Sequence, residues 1–213
     1  EYWRVLADTF LPNEFSIGNI QDLVFGKWVP FRDVFMNSIV SSFGQALGAV
    51  VLSAMTGYAF ATLKFFGKNV FFVIVLAIIL VPRQLFAMPL FSWLNTLGFN
   101  DSIFGVIFPG VITGLGVIYF TQIFRKIPVE YIQVARICGA SEFRIFITLL
   151  SLIWPALLSY AMIHFVLAWH EHLIPMLVLT TDSQQTLPLA LAKLYDVSQR
   201  TPQGVQMAAS TFS

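Results

Sequence analysis

Apolar residues run along this chain in long continuous stretches that are separated by short charged segments. Four such stretches follow one another, residues 34–63, 70–97, 102–124 and 145–170, and only the second contains a charged residue, Arg83. A helix needs about 20 apolar residues to cross the hydrocarbon core of a bilayer, and each stretch reaches that length. Because the runs are continuous, and do not alternate as strands of a membrane barrel do, we predict four transmembrane helices.

The composition agrees with a membrane protein. Of the 213 residues, 57% are hydrophobic and only 11% are charged, whereas soluble domains carry roughly 25% charged residues. This excludes a typical soluble globular protein and a disordered one. The net charge of +1 provides no broad basic field for a nucleic acid, and the single cysteine, Cys138, cannot form an intrachain disulfide. We therefore predict an all-α integral membrane protein, a polytopic helical bundle surrounded by membrane lipid.

The basic residues predict how the helices are oriented. The segment after the first stretch, residues 64–69, carries two lysines, and residues 125–144 carry four basic side chains, whereas the segment between the second and third stretches has none. Basic residues in short loops favour the cytoplasmic side. We therefore expect residues 64–69 and 125–144 in the cytoplasm, and residues 1–33 and 171–204 outside.

The two ends of the chain predict a piece of a longer protein. The sequence begins at Glu1, in a polar segment that is predicted to lie outside and is not preceded by a signal peptide. It turns apolar again from about residue 206. We expect one missing helix before residues 1–33 and a truncated last span from about residue 206, with residues 34–213 forming the transmembrane domain.

A helix, a sharp turn and a second helix are predicted for residues 125–144, here called the hairpin. Pro128 suits the first turn of a helix, because its missing N–H would have no partner there. Gly139 is a natural helix stop, and Ser141 is a good N-cap for the next helix. We expect the hairpin to protrude into the cytoplasm and bind a partner; an amphipathic elbow lying on the bilayer surface is the alternative.

Two polar residues, Arg83 and Gln84, follow Pro82 inside the second apolar stretch. A charge at that depth costs roughly 3 kcal/mol on insertion scales, so it is expected to face protein or water. A broken helix at membrane depth is tolerated where it lines a cavity. We predict that Arg83 and Gln84 border a translocation path; the alternative is that Arg83 extends to the membrane surface.

No enzymatic or metal site is predicted. The sequence contains no nucleotide-binding Gly-rich lysine loop, no GxSxG and no CxxC motif. His170 and His172 would point to nearly opposite sides of a helix, unlike a metal-binding pair four residues apart, and His164 lies further away. We expect no catalytic residue, cofactor or metal, so any ATPase activity has to come from another chain.

The hairpin resembles the signature loop of ABC importer permeases, whose pattern is Glu-Ala-Ala, three residues and Gly. Gln133-Val134-Ala135 occupy the first three places, and Gly139 has the right spacing. The sequence departs from this pattern at Gln133 and Cys138. It also departs from the continuation of the pattern beyond Gly139, at Ser151-Leu152. Other segments, in order, are similar to the sugar-uptake subfamily of maltose and glycerol-phosphate type: Asn37-Ser38, Gly57-Tyr58-Ala59-Phe60-Ala61, Met88-Pro89-Leu90, Leu97-Gly98-Phe99-Asn100-Asp101-Ser102, Trp169-His170-Glu171, Thr186-Leu187-Pro188 and Met207-Ala208-Ala209-Ser210.

The resemblance implies the transmembrane-domain fold of type I ABC importers in the cell (inner) membrane. It implies a permease subunit that translocates a sugar or related polar solute with a cytoplasmic ATP-binding cassette ATPase, a second permease and an extracytoplasmic solute-binding protein. The ATPase-coupling residues would be Gln133, Val134, Ala135, Arg136, Gly139, Ala140 and Ser141. The alternative is an ATP-independent secondary transporter or channel, whose intramembrane charges should recur in matched half-repeats; the sequence shows no internal repeat.

Overall fold

The computed structural model describes residues 18–194 and 203–212 as helices joined by turns, with no strand among those residues. This confirms the all-α prediction. The α-helices in chain order are α1 (Gly18–Val24), α2 (Phe31–Thr62), α3 (Lys68–Leu80), α4 (Ala87–Thr96), α5 (Ile103–Gly110), α6 (Gly114–Arg125), α7 (Val129–Ile137), α8 (Glu142–Leu152), α9 (Trp154–Trp169), α10 (Leu173–Val178), α11 (Leu187–Lys193) and α12 (Gln203–Ser210). Short 3₁₀ helices cover Arg83–Phe86 and Asp182–Gln184. About half of the predicted outside segment 1–33, and residues 195–202 of the segment 171–204, lie outside the described residues.

Helix α2 is the central element of the fold, and it packs against α5, α6 and α9. Its 32 residues make it the one helix, in the part of the chain that the structure describes, that is long and apolar enough to cross a membrane alone. Glycines let its neighbours come close. A Cβ on Gly57 would lie 2.6 Å from Cβ of Phe120, and a Cβ on Gly44 would lie 2.9 Å from Cδ1 of Ile107. The small residues of the first stretch therefore form a packing face.

The other three apolar stretches are each two helices with a bend between them. The bend is 96° between α3 and the segment Arg83–Thr96, 44° between α5 and α6, and 79° between α8 and α9. The described chain thus has up to four spans, if each bent pair crosses as one. The four spans stay a prediction; the break after α3 was indicated by Pro82, whereas the breaks within 102–124 and 145–170 were not predicted. Each break lies close to a proline (Pro82, Pro109 or Pro155), which removes a backbone N–H and crowds the preceding turn.

The predicted hairpin is confirmed, with α7 and α8 as its two helices. Gly139 adopts a left-handed backbone with a φ of +77°. The N–H of Gly139 donates to the carbonyl of Arg136, and the N–H of Ala140 donates to the carbonyl of Ala135, both at 3.0 Å. These two bonds form the Schellman helix ending. The hydroxyl of Ser141 then accepts the Arg144 N–H at 3.4 Å, as an N-cap of α8 does.

Candidate functional site

The hairpin is joined to the central helix through the carboxylate of Glu142, the first residue of α8. The hydroxyl of Tyr58, a buried residue near the end of α2, donates to Oε2 of Glu142 at 2.6 Å. Arg136, near the end of α7, donates from Nε to Oε1 at 2.6 Å and from a terminal nitrogen to Oε2 at 3.2 Å. One carboxylate therefore connects α2, α7 and α8.

The contribution of this arrangement is geometric more than energetic. The side chains of Arg136 and Glu142 are 39% and 43% exposed, and an ion pair that exposed contributes at most about 1 kcal/mol. The hydrogen bond to Glu142 raises the pKa of Arg136 above its ordinary value. The ring of Tyr58 also packs on two phenylalanine rings. Its centroid lies 5.5 Å from that of Phe124 and 5.4 Å from that of Phe146. Packing below and hydrogen bonds above fix the position of the hairpin relative to α2.

The outer surface of the hairpin is apolar and largely uncovered. Ile132 is buried against the core, but Ile137 is 86% exposed, and Tyr131, Val134 and Phe143 are exposed too. Because contiguous exposed apolar side chains mark an interaction surface, the hairpin has the character of a docking site. The seven residues predicted for coupling all lie on it: Gln133, Val134, Arg136, Gly139 and Ser141 are exposed, and Ala135 and Ala140 are half-buried.

A second feature is a cavity of about 310 Å³ where two of the broken helices meet. Its wall includes Arg83, just after the α3 break, and five residues around the break between α5 and α6: Gly110, Ile112, Thr113, Gly114 and Leu115. Its other polar side chains are Gln45, Thr113, His164 and Glu171. Irregular backbone at membrane depth is tolerated where it lines such a cavity.

Arg83 lies in the 3₁₀ turn after the break and pairs with Glu171, just beyond α9. One terminal nitrogen of Arg83 donates to Oε2 of Glu171 at 3.3 Å, with side chains 59% and 21% exposed. Oε1 of the same carboxylate accepts the Leu173 N–H at 2.9 Å. Glu171, the first residue of the segment predicted to lie outside, was not predicted as the partner of Arg83; the signal was that an arginine within an apolar stretch needs a partner. The cavity wall, in the described part of the chain, includes Arg83 but not Gln84.

Two further contacts fix the polar wall of the cavity. Nε2 of His164 lies 3.1 Å from the carbonyl oxygen of Gly110, and because a carbonyl only accepts, that nitrogen donates. The hydroxyl of Tyr160 lies 3.3 Å from the Thr113 hydroxyl. A Cβ on Gly110 would overlap the buried side chain of Gln45, so a larger residue at this position would displace that side chain. Within residues 18–194 and 203–212, no group of three His, Cys, Asp or Glu side chains could hold a metal ion.

At the opposite end of the bundle from the hairpin, Asp101 fixes a loop beside the cavity-forming helices. Its Oδ1 accepts the N–H groups of Thr180 and Thr181 at 2.9 and 3.0 Å, and its Oδ2 accepts the Thr181 hydroxyl. The hydrogen bonds from Thr181 lower the pKa of Asp101 below its ordinary value, and the bond from the Thr181 hydroxyl has the larger effect. The same loop is held from α2, where the side-chain amide of Asn37 donates to the carbonyls of Ser183 and Gln185.

Comparison with known sequences identifies one family. Residues 49–213 match the family described as binding-protein-dependent transport system inner membrane component. The arabinooligosaccharides transport system permease protein AraQ is 34% identical in Halalkalibacterium halodurans, over 75% of this chain and 58% of that protein. The protein of the same name in Bacillus subtilis is 32% identical, over 86% of this chain and 65% of that protein.

The sn-glycerol-3-phosphate transport system permease protein UgpE of Escherichia coli is 27% identical, over 81% of this chain and 63% of that protein. The chain thus spans 58% to 65% of the length of these relatives. Among solved structures, a bacterial ABC transporter involved in the import of the acidic polysaccharide alginate has the same fold. Its TM-score is 0.80 at 18% identity, over 95% of this chain and 75% of that one.

Proposed function

We propose that this chain, which belongs to the family of binding-protein-dependent transport system inner membrane components, is a permease subunit of an ATP-driven importer that translocates a sugar or a related polar solute. The observation that carries the proposal is the apolar hairpin joined through Glu142 to the central helix. An exposed apolar surface that is linked to a membrane helix is what an energy-coupled permease requires for contact with its ATPase. The names of the relatives support a sugar or a sugar-like solute.

The proposed partner of the hairpin is a cytoplasmic ATP-binding cassette ATPase. The given sequence contains no phosphate-binding loop, and the family is described as an inner membrane component of transport systems. The exposed apolar residues Val134 and Ile137 would insert into a cleft of the ATPase, with Gln133 beside them. Because Gln133 is neutral, it adds a hydrogen bond and not an ion pair to the contact.

The other proposed partners are a second permease and an extracytoplasmic solute-binding protein. Helix α3 has no buried residue, so its surface is available to lipid or to the second permease. The loop fixed by Asn37 and Asp101 lies in the segment 171–204 that was predicted to face outside, and it would be the contact for the binding protein. In this arrangement the protein spans the inner membrane several times, with the hairpin in the cytoplasm.

The mechanism follows from differential binding. The helices exchange between inward-open and outward-open packings, and ATPase and binding protein each favour one packing over the other. Closure of the ATPase would displace the hairpin, and the contact between Glu142 and Tyr58 would carry that displacement to α2. Because α2 packs on both segments of the α5–α6 pair, its movement changes the cavity that contains Arg83. The ATP-independent alternative is not favoured, because the matched relatives are permeases of binding-protein-dependent systems.

The test is co-purification of the full-length permease with its ATPase. Ile137→Asp places a charge on the apolar surface of the hairpin, and because Ile137 is 86% exposed the fold itself should not change. We expect this variant to lose the ATPase. Phe66→Asp is the matched control, since Phe66 is fully exposed on the neighbouring basic segment and not on the hairpin; it should retain the ATPase. Full retention by Ile137→Asp would contradict the proposal.

A further inference from the structure

We infer that the cavity between the two broken helices takes neutral polyhydroxylated solutes, and that the pairing of Arg83 with Glu171 sets this preference over acidic ones. The inference rests on the proposed function, because it names the solute class of the proposed path. The solutes named for the relatives and for the solved structure include both neutral and acidic ones. Arabinooligosaccharides are neutral, whereas sn-glycerol-3-phosphate is an anion and alginate is an acidic polysaccharide.

The first argument is the charge of the cavity wall. Among the described residues that line the cavity, the formally charged ones are Arg83 and Glu171, and they lie 3.3 Å apart. The Nε2 proton of His164 is donated to the Gly110 carbonyl and is therefore not available to an acidic group of a solute. An acidic solute would therefore lose water on entering the cavity and find the guanidinium of Arg83 already paired with Glu171. Burying a charge without an available counter-charge is strongly unfavourable.

The second argument is that the wall retains hydrogen-bond donors although its charge is neutralised. A guanidinium has five N–H donors, and Glu171 accepts from one of the terminal nitrogens of Arg83. The Thr113 hydroxyl lies within hydrogen-bond distance of Tyr160, and when it accepts from Tyr160 its own proton remains to donate. Hydroxyl and ring oxygens of a sugar accept such bonds. Neutral charge combined with several donors fits a polyhydroxylated solute.

The third argument is that Glu171 is held in place. Its Oε1 accepts the Leu173 N–H, and its Oε2 accepts from Arg83. Both oxygens of the Glu171 carboxylate are thus hydrogen-bonded. The side chain cannot turn away from Arg83 without losing a hydrogen bond. The neutral state of the wall is therefore maintained when a solute enters, and removing the charge of Glu171 would convert the cavity into a site with one unpaired cation.

The experiment uses the assembled transporter with the full-length chain, purified without its binding protein so that only the membrane subunits select the solute. Thermal unfolding is followed with three neutral trisaccharides (arabinotriose, xylotriose and maltotriose) and two acidic ones (trigalacturonate and trimannuronate). In the wild type, we expect at least one neutral trisaccharide to raise Tm, and the acidic ones to need at least tenfold higher concentrations for the same shift.

Glu171→Gln should abolish the preference for neutral trisaccharides, because Arg83 is then unpaired: acidic trisaccharides should raise Tm at concentrations at least tenfold lower than in the wild type. The double variant Arg83→Gln, Glu171→Gln is neutral again and should regain the preference for neutral trisaccharides, with weaker binding because the guanidinium donors are gone. Asp182→Asn is the matched control. It makes the same charge change at the Asp182–Lys193 pair, which is not part of the cavity wall, and should keep the wild-type preference.

The inference is overturned if the wild type binds acidic trisaccharides as well as neutral ones, if Glu171→Gln keeps the wild-type preference, or if no trisaccharide shifts Tm. ATP-driven uptake by the complex with its binding protein, measured separately, distinguishes this from failure of the proposed function. Uptake that depends on the ATPase but shows no charge preference would leave the permease function intact and remove the inference. No uptake of any solute would contradict both.

Discussion

Tyr58 and Glu142 are 84 residues apart in the sequence, yet the Tyr58 hydroxyl donates a hydrogen bond of 2.6 Å to the Glu142 carboxylate. Tyr58 is buried near the end of α2, and Glu142 begins the second helix of the hairpin. The same carboxylate accepts two hydrogen bonds from Arg136 on the first helix of the hairpin. A partner that displaces the hairpin therefore acts on the central helix through the hydrogen bond of Tyr58 to Glu142 and through the packing of the Tyr58 ring on Phe146.

The turn of the hairpin depends on Gly139. A Cβ there would meet no atom within 4 Å, so a substitution acts through the backbone alone, whose φ is +77°. A left-handed backbone costs an L-residue about 1–2 kcal/mol, and Asn tolerates it better than most. We expect Tm of the purified transporter to fall for Gly139→Ala, to fall further for Gly139→Val and to change little for Gly139→Asn. A wild-type Tm for Gly139→Val would show that the turn is not held as described.

The close approach of α2 and α6 depends on Gly57. A Cβ on Gly57 would lie 2.6 Å from Cβ of Phe120 and 2.8 Å from the backbone nitrogen of Thr121, and neither atom can move without shifting α6. Overpacking of this kind costs about 1–3 kcal/mol. We expect Gly57→Ala to lower the free energy of unfolding in a denaturant titration by that amount.

Val51→Ile is the control for Gly57→Ala, because it adds one methyl group to an exposed position of the same helix. Its unfolding curve should match that of the wild type. Equal curves for Gly57→Ala and Val51→Ile would contradict the close contact between α2 and α6.

The loop held by Asp101 should be sensitive to acid. The pKa of the Asp101 carboxyl is lowered from the ordinary value of 3.8, chiefly by the hydrogen bonds from Thr181. A carboxyl whose folded pKa is lowered contributes stability above its unfolded pKa and loses that contribution as the pH falls through the folded pKa. Asp101→Asn should therefore have a lower Tm than the wild type from about pH 5 upwards. The difference should shrink below pH 3.8; a difference that stays constant down to pH 3 would contradict this account.

The features that could be predicted from the sequence are those encoded by neighbouring residues. Pro128, Gly139 and Ser141 mark where the hairpin helices begin and end, and the structure has them there. The small residues of α2 are also encoded in its own sequence. Two of them, Gly44 and Gly57, lie against the α5–α6 pair. Local signals suffice because helix ends and close helix packing depend on backbone freedom and on side-chain size.

The features that could not be predicted depend on which distant residues meet. Pro82 indicated an interruption, but not the 96° change of direction after α3. The partners of Tyr58 and Arg83 lie 84 and 88 residues away, and neither pairing follows from the residues around Glu142 or Glu171. Charge pairing between separate spans is fixed by helix packing, which periodicity and composition do not specify.

The most direct test of the account is the number of solute molecules taken up per ATP hydrolysed, measured in proteoliposomes with the complete transporter and a neutral trisaccharide that the wild type transports. Tyr58→Phe removes the hydroxyl that binds Glu142 and keeps the ring packing, at a cost of about 1 kcal/mol. Tyr119→Phe is the matched control, since its hydroxyl donates to the Ala156 carbonyl, away from the hairpin. We predict that Tyr58→Phe lowers uptake per ATP while the ATPase stays bound, and that Tyr119→Phe leaves the ratio unchanged. A wild-type ratio for Tyr58→Phe would contradict the claim that this contact couples the hairpin to the central helix.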